Sequence, residues 1–176
     1  MHVFLALALV GLCLPSAAYA QRFVDAEISG GGAAFFPGDR VLGGWYADGM
    51  KSLVPDTAVA GEVSSYYSSE REPRGRESWF DVLGGIRQRL VQRPRVTVFA
   101  QFLIGGTRYT QRFSRPANFS NSLVWVVLKP GLGVNMPLSS RWSVRLRTDV
   151  RLAAKGGEAT GAWILGSGIV GRLGRP

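Results

Sequence analysis

The chain has 176 residues, of which 46% are hydrophobic and 19% charged, and its formal net charge is +9. A single cysteine excludes an internal disulfide, and the lack of a run of about 20 uninterrupted apolar residues excludes a helical membrane protein. A basic excess of this size suits nucleic acid, the phosphates of a glycolipid, or an arginine-lined barrel interior.

The first predicted element is a cleavable secretory signal over residues 1–20. An apolar run covers residues 3–14, and the small-residue tripeptide Ala18-Tyr19-Ala20 follows. Cleavage after Ala20 leaves residues 21–176 as one domain. His2 and Cys13 are removed with the signal, which excludes Cys or His metal sites and imidazole or thiolate catalysis. Lipidation of Cys13 is the alternative, but Leu12 stands where a small residue is expected.

Beyond the signal, polarity alternates with period two, and Gly, Pro, Asn, Ser and charged clusters interrupt the alternation. This pattern predicts successive β-strands. We expect eight of them, at approximately 23–36, 39–48, 57–68, 78–91, 95–110, 122–137, 141–154 and 160–174.

The connections between these strands alternate in length. Residues 92–94 and 137–140 form tight turns, whereas the polar segments 69–77 and 111–121 are longer. Outer-membrane barrels have short periplasmic turns and longer external loops. The short Pro37-Gly38 connection and the long 49–56 connection depart from this rhythm.

The strand at 141–153 has the clearest alternation, with Val144 and Leu146 on one face and Arg145 and Arg147 on the other. A soluble calycin-like barrel would turn the apolar face inward. Mid-strand charges of both signs, glycines on the polar face and aromatic residues near strand ends favour apolar faces that point at lipid. The sequence then predicts an interior charge network of Glu27, Glu62, Asp81, Arg87, Lys129, Arg145, Arg147, Asp149 and Arg151.

A family resemblance covers about the last 55 residues. A Gly-rich strand at 128–134, a short turn at 137–140, an Arg-Trp-Ser opening at 141–143 and a closing strand at 166–174 occur in this order. They resemble the last hairpins of small outer-membrane barrels of the OmpA/OmpX type. The resemblance implies an all-β fold, an eight-stranded antiparallel up-and-down transmembrane β-barrel. It also implies insertion by the barrel assembly machinery and an interior filled by side chains. Family members usually finish on an aromatic residue, whereas this chain finishes on residues 173–176, Leu-Gly-Arg-Pro.

No catalytic or cofactor site is predicted. Residues 166–171 match the dinucleotide pattern GxGxxG, but that pattern requires a following helix and an acidic residue about 20 positions on. Here it falls inside the last strand, where glycines pack a barrel interior. Carboxylate pairs such as Asp25 with Glu27 are expected to form salt bridges. We therefore expect a protein that is not an enzyme and binds no cofactor, metal or nucleic acid.

The expected location is the bacterial outer membrane, in contact with its lipid and glycolipid. Candidate anion contacts lie in the two long loops, and the alternative is that these arginines are simply solvated: Arg71, Arg74, Arg76, Arg112 and Arg115. The function expected is structural or surface interaction. A soluble periplasmic carrier of an apolar ligand, a narrow pore and, less favoured, a lipid-modifying enzyme remain open at this point.

Overall fold

A computed structural model describes residues 26–68, 76–113 and 119–173. The predicted signal, residues 1–20, lies outside these segments. Eight strands follow one another along the chain: β1 Ala26–Phe36, β2 Leu42–Val54, β3 Thr57–Tyr67, β4 Arg76–Arg93, β5 Val96–Phe113, β6 Phe119–Pro137, β7 Trp142–Lys155 and β8 Glu158–Leu173.

The eight strands form one closed antiparallel barrel. Each strand pairs with the next along the chain, and β1 pairs with β8. At that closure Gly31 faces Gly168 and Gly32 faces Ser167, so small residues let the two strands approach. Closure leaves no lateral sheet edge with unpaired backbone groups, as a hydrocarbon environment requires. The predicted eight-stranded up-and-down barrel is confirmed.

The apolar face of each strand points outward. In β7, Trp142, Leu146 and Leu152 are about half exposed, whereas the alternate residues Arg145 and Arg147 are buried. The other strands add to the same outer belt, with large exposed side chains that include Ile28, Val82, Ile86, Phe102, Ile104, Val126, Leu132, Trp163, Leu165 and Ile169. The barrel is therefore apolar outside and polar inside, the reverse of a soluble barrel.

The barrel has two unlike ends. At the turn end, short connections at 55–56, 94–95 and 138–141 join the strands, and β1 begins and β8 finishes there. At the other end, which we call the loop end, lie the connections 37–41 and 156–157, the last residues of β3 and β5, and the first residues of β4 and β6. In the described segments, no helix is long and apolar enough to cross a membrane.

Two predicted connections were wrong. Residues 49–56 are mostly strand, because β2 continues to Val54 and only Pro55 and Asp56 form the turn. The Asp48-Gly49 pair is a strong turn signal, but Asp48 is held inside the barrel by arginines and the strand continues. The 111–121 segment is also mostly strand, since β5 and β6 stay paired as far as Phe113 and Phe119.

Candidate functional site: the charged lumen

In the described part of the chain, eleven charged side chains are buried on the inner face of the barrel. Glu77 pairs with the half-buried Arg40 at the loop end, and we call the other ten the lumen network. The nine residues expected from the sequence all lie on this inner face, and Asp48 joins them. Each is at most 7% exposed. The lumen network holds five basic and five acidic residues and is therefore electrically balanced: Arg87, Lys129, Arg145, Arg147 and Arg151 against Glu27, Asp48, Glu62, Asp81 and Asp149.

Asp48, on β2, is the centre of the turn-end half of the lumen network. Its Oδ1 accepts hydrogen bonds from Arg145 Nη1 at 2.8 Å and Arg87 Nη1 at 3.2 Å. Ser29 Oγ donates to Oδ2 at 2.7 Å, and Arg147 Nη1 lies 3.6 Å from the same oxygen. One carboxylate thus neutralises guanidinium groups that arrive from β4 and β7.

Glu62, on β3, has a similar role further along the lumen. Lys129 Nζ lies 2.5 Å from its Oε1, and Arg147 Nη1 donates to its Oε2 at 2.7 Å. Asp149 then completes the surroundings of Arg147, with 3.3 Å between Arg147 Nε and Asp149 Oδ2. Gln101 Nε2 donates to Asp149 Oδ1 at 2.7 Å and connects this group to Arg87, which donates to Gln101 Oε1 at 2.8 Å.

Aromatic rings contact the buried cations. The guanidinium groups of Arg87 and Arg145 both lie over the ring of Phe99, at 4.7 and 5.1 Å from its centroid. Arg147 lies over Tyr46 at 3.8 Å. Contacts of this kind stabilise a desolvated cation by about 2 kcal/mol.

At the loop end the lumen is closed by a pair and a ring cluster. Arg151 donates to both oxygens of Asp81, at 2.9 and 3.0 Å. Its guanidinium lies 4.8 Å from the centroid of Trp79, which in turn packs against Tyr109 at 4.4 Å. Phe35 stacks nearby on the ring of Tyr66. These side chains fill the cross-section where the loops begin.

Burying the charges of the lumen network costs free energy, and the pairing of these charges offsets that cost. Removing charges from water costs several kcal/mol per ion, which good geometry and extra hydrogen bonds offset. Here the carboxylates are engaged by the protein's own cations. Among the described residues, no group of three His, Cys, Asp or Glu could hold a metal ion.

The candidate anion contacts fall mostly outside the described part of the chain. Arg71, Arg74 and Arg115 lie outside the described residues. Arg76 is exposed at the first position of β4, and Arg112, whose side chain is not described, is its register partner on β5. Arg76 and Arg112 thus come together at the loop end.

Asp48 is the important residue that the sequence prediction missed. The alternation in β2 continues through Asp48, because Tyr46 and Asp48 are buried whereas Trp45 is exposed. Extending the period-two pattern past the Asp-Gly pair would have placed Asp48 on the polar face. Among the neutral partners, Ser29 alternates with Ile28 and Asn135 with Val134, so the period-two pattern places both on polar faces. Gln101 carries no such signal, because its strand is apolar on both faces.

An outward apolar belt around a balanced charged lumen, closed by eight antiparallel strands, defines the fold of a small eight-stranded outer-membrane β-barrel. No family model and no curated protein matches the sequence. Solved structures do share the fold.

One is Neisserial surface protein A, with a TM-score of 0.67 and 9% identity over 84% of this chain and 96% of that one. Another is Ail of Yersinia pestis in complex with the heparin analogue sucrose octasulfate, with a TM-score of 0.59 and 19% identity over 82% and 97%. A third is the N-terminal β-barrel domain of Pseudomonas aeruginosa OprF, with a TM-score of 0.57 and 14% identity over 83% and 95%. These similarities identify the fold; the function must be argued from the chain itself.

Proposed function

We propose that this chain is a non-enzymatic, integral outer-membrane protein with a structural or surface-interaction role. It is exported with residues 1–20 as a cleaved signal, and residues 21–176 are inserted by the barrel assembly machinery. The observation that carries the proposal is the inverted polarity of the barrel, with exposed Leu, Ile, Val, Phe and Trp outside and paired charges inside. In this orientation the turn end faces the periplasm and the loop end faces outward.

The lumen network has a structural role in this proposal. Eight strands enclose a lumen just wide enough for side chains to fill, and crossing pairs join β2 to β4 and β7, and β3 to β6 and β7. Such pairs connect opposite walls of the barrel and obstruct ion flow through the lumen.

A conductance and stability experiment tests this role. We expect the purified barrel in planar bilayers to show no steady single-channel conductance. Arg145→Ala combined with Arg147→Ala should lower the thermal unfolding temperature in detergent, because the double change leaves Asp48 and Glu62 with fewer cations. Steady conductance of the unmodified barrel would favour the narrow pore instead, and an unchanged unfolding transition would contradict the structural role.

Surface interaction is assigned to the loop end. Arginines on 69–77 and 111–121 are proposed to bind the phosphates of outer-leaflet glycolipid through charge-assisted hydrogen bonds. The register pairing of Arg76 with Arg112 supports this. A barrel of the same fold, Ail, has been solved with a polyanionic heparin analogue.

Charge-matched variants test the loop-end contact. R71Q/R74Q/R76Q and the turn-end control R93Q/R95Q/R141Q each remove three positive charges. Thermal unfolding is measured in bilayers that contain phosphorylated or dephosphorylated glycolipid. We expect phosphorylated glycolipid to raise the unfolding temperature of the control variant but not that of the loop-end variant. Equal responses of the two variants would mean that the loop arginines are only solvated.

The carrier of an apolar ligand is the weaker candidate. Such a carrier needs an apolar interior, whereas this lumen contains the ten charged side chains of the lumen network. Its exposed apolar belt would also have no partner in the periplasm.

A further inference from the structure

The lumen is closed at the loop end but contains a cavity at the turn end. The cavity has a volume of about 280 Å³ and extends from Arg87 and Phe99 inside the barrel to Pro94 and Pro137 at the turns. Its remaining wall includes Glu27, Met50, Ala58, Arg89, Gln92, Arg93, Thr97, Asn135 and Arg172. Four arginines and a single carboxylate therefore line one small space.

The charge at the turn-end opening of the cavity, which we call its mouth, is not balanced. The lumen network above it has equal numbers of cations and anions. The mouth adds Arg89, Arg93 and Arg172, and the acidic residue opposite them is Asp56, which pairs with Arg89 at 3.4 Å and is 57% exposed. Two positive charges are thus left over among the described residues at the cavity.

Glu27 is shared between two arginines, and its hydrogen bond goes to Arg145, whereas Arg172 is held only at ion-pair distance. Its Oε2 accepts a hydrogen bond from Arg145 Nη2 at 3.3 Å, and its Oε1 lies 3.7 Å from Arg172 Nε. That Arg172 Nε is buried and makes no hydrogen bond. A buried guanidinium donor without an acceptor is costly, and an anion in the cavity would supply the missing acceptor.

We propose that this cavity is a binding site for a small organic phosphate that enters from the turn end. The forked donors of arginine match phosphate oxygens in a bidentate manner. Since the volume exceeds that of one phosphate ion, the polar wall at Thr97 and Asn135 can accept a glycerol- or sugar-sized group. The ring of Phe99, which contacts Arg87 and Arg145, forms the inner limit. The outer-membrane proposal decides only which compartment supplies the ligand, so the site can be tested independently of it.

Calorimetric titration of the full barrel in zwitterionic-lipid nanodiscs tests this site, with glycerol 3-phosphate as the probe. We expect saturable 1:1 binding that weakens as salt increases. R93Q/R172Q should weaken it at least tenfold. The control R95Q/R141Q removes the same charge at the same end but outside the cavity wall, and it should change affinity less than twofold.

Folding of each variant is checked by the mobility difference between unheated and boiled samples. No saturable binding by the unmodified barrel would overturn the site, as would equal losses in the two double variants. Nanodiscs that contain phosphatidylglycerol distinguish the source of the phosphate. A several-fold loss of affinity for the soluble probe there identifies the lipid headgroup as the natural occupant, and an unchanged affinity identifies a free periplasmic phosphate.

Discussion

At the scale of single residues, Asp48 is central to the lumen network, although the sequence analysis did not assign it to the barrel interior. It lies within 3.6 Å of three guanidinium groups, those of Arg87, Arg145 and Arg147. Losing one member of a buried ion pair leaves an uncompensated charge, which costs more than the pair itself contributes.

Asp48→Asn should therefore lower the free energy of unfolding by about 3 kcal/mol. The measurement is a urea titration of the barrel in lipid vesicles, followed by tryptophan fluorescence. Asp56→Asn is the control, because Asp56 also pairs with an arginine but is exposed, and its loss should cost less than about 1 kcal/mol. Similar costs for the two changes would mean that the lumen charges are screened by water.

A second residue-scale requirement concerns Gly133 on β6. A methyl group there would overlap the ring of Phe99, which is in contact with the guanidinium groups of Arg87 and Arg145. Gly32, on the outer face of β1, has no neighbour that a methyl group would meet.

Gly133→Ala should therefore destabilise the barrel by about 1–3 kcal/mol, the usual cost of overpacking. Gly32→Ala should change stability by less than about 0.5 kcal/mol. Both values come from the same urea titration. An equal, small effect at both positions would show that Phe99 can move aside without disturbing the charges beside it.

At the scale of elements, alternation was sufficient to predict eight strands, their order and the inner placement of charged side chains such as Arg145 and Arg151. Period two is a strong signal where one face is charged and the other apolar. At Asp48-Gly49 two sequence signals conflict, because local turn chemistry predicts a turn and the period-two pattern predicts a continuing strand; the ion pairs of Asp48 to β4 and β7 favour the strand. The sequence also could not predict how far β5 and β6 extend. At the loop end these two strands are held by backbone pairing with each other, and backbone pairing leaves no polarity pattern in the sequence.

The outward face of β6 provides the element-scale prediction. Leu132→Arg places a charge in the middle of the belt, where Leu132 pairs with Thr148 near the centre of β7. A charge facing lipid at mid-depth costs about 2–4 kcal/mol. Leu138→Arg is the matched control, because Leu138 is equally apolar and exposed but lies in the turn at 138–141. It should cost less than about 1 kcal/mol near the interface.

The two arginine variants are compared by measuring the free energy of unfolding of each in lipid vesicles. If both arginine variants were as stable as the unmodified barrel, the face of β6 would be in contact with water and the apolar belt would need another explanation.

At the scale of the whole molecule, the distribution of charge explains the basic composition. The lumen network contributes nothing to the net charge of +9, because its cations and anions are equal in number. The excess is carried by charged residues outside the lumen network. A balanced interior suits a closed, rigid barrel, and basic ends suit contact with phosphates on either side of the membrane.

Membrane fractionation with electrophoresis of unheated and boiled samples tests the central claim most directly. In cells that express the full chain, we predict a protein that remains in carbonate-washed membranes and changes mobility on boiling, because a lipid-facing barrel resists detergent until heated. Recovery of the protein in the periplasmic extract, with no mobility difference, would contradict the account, since a soluble barrel could not leave this apolar belt exposed.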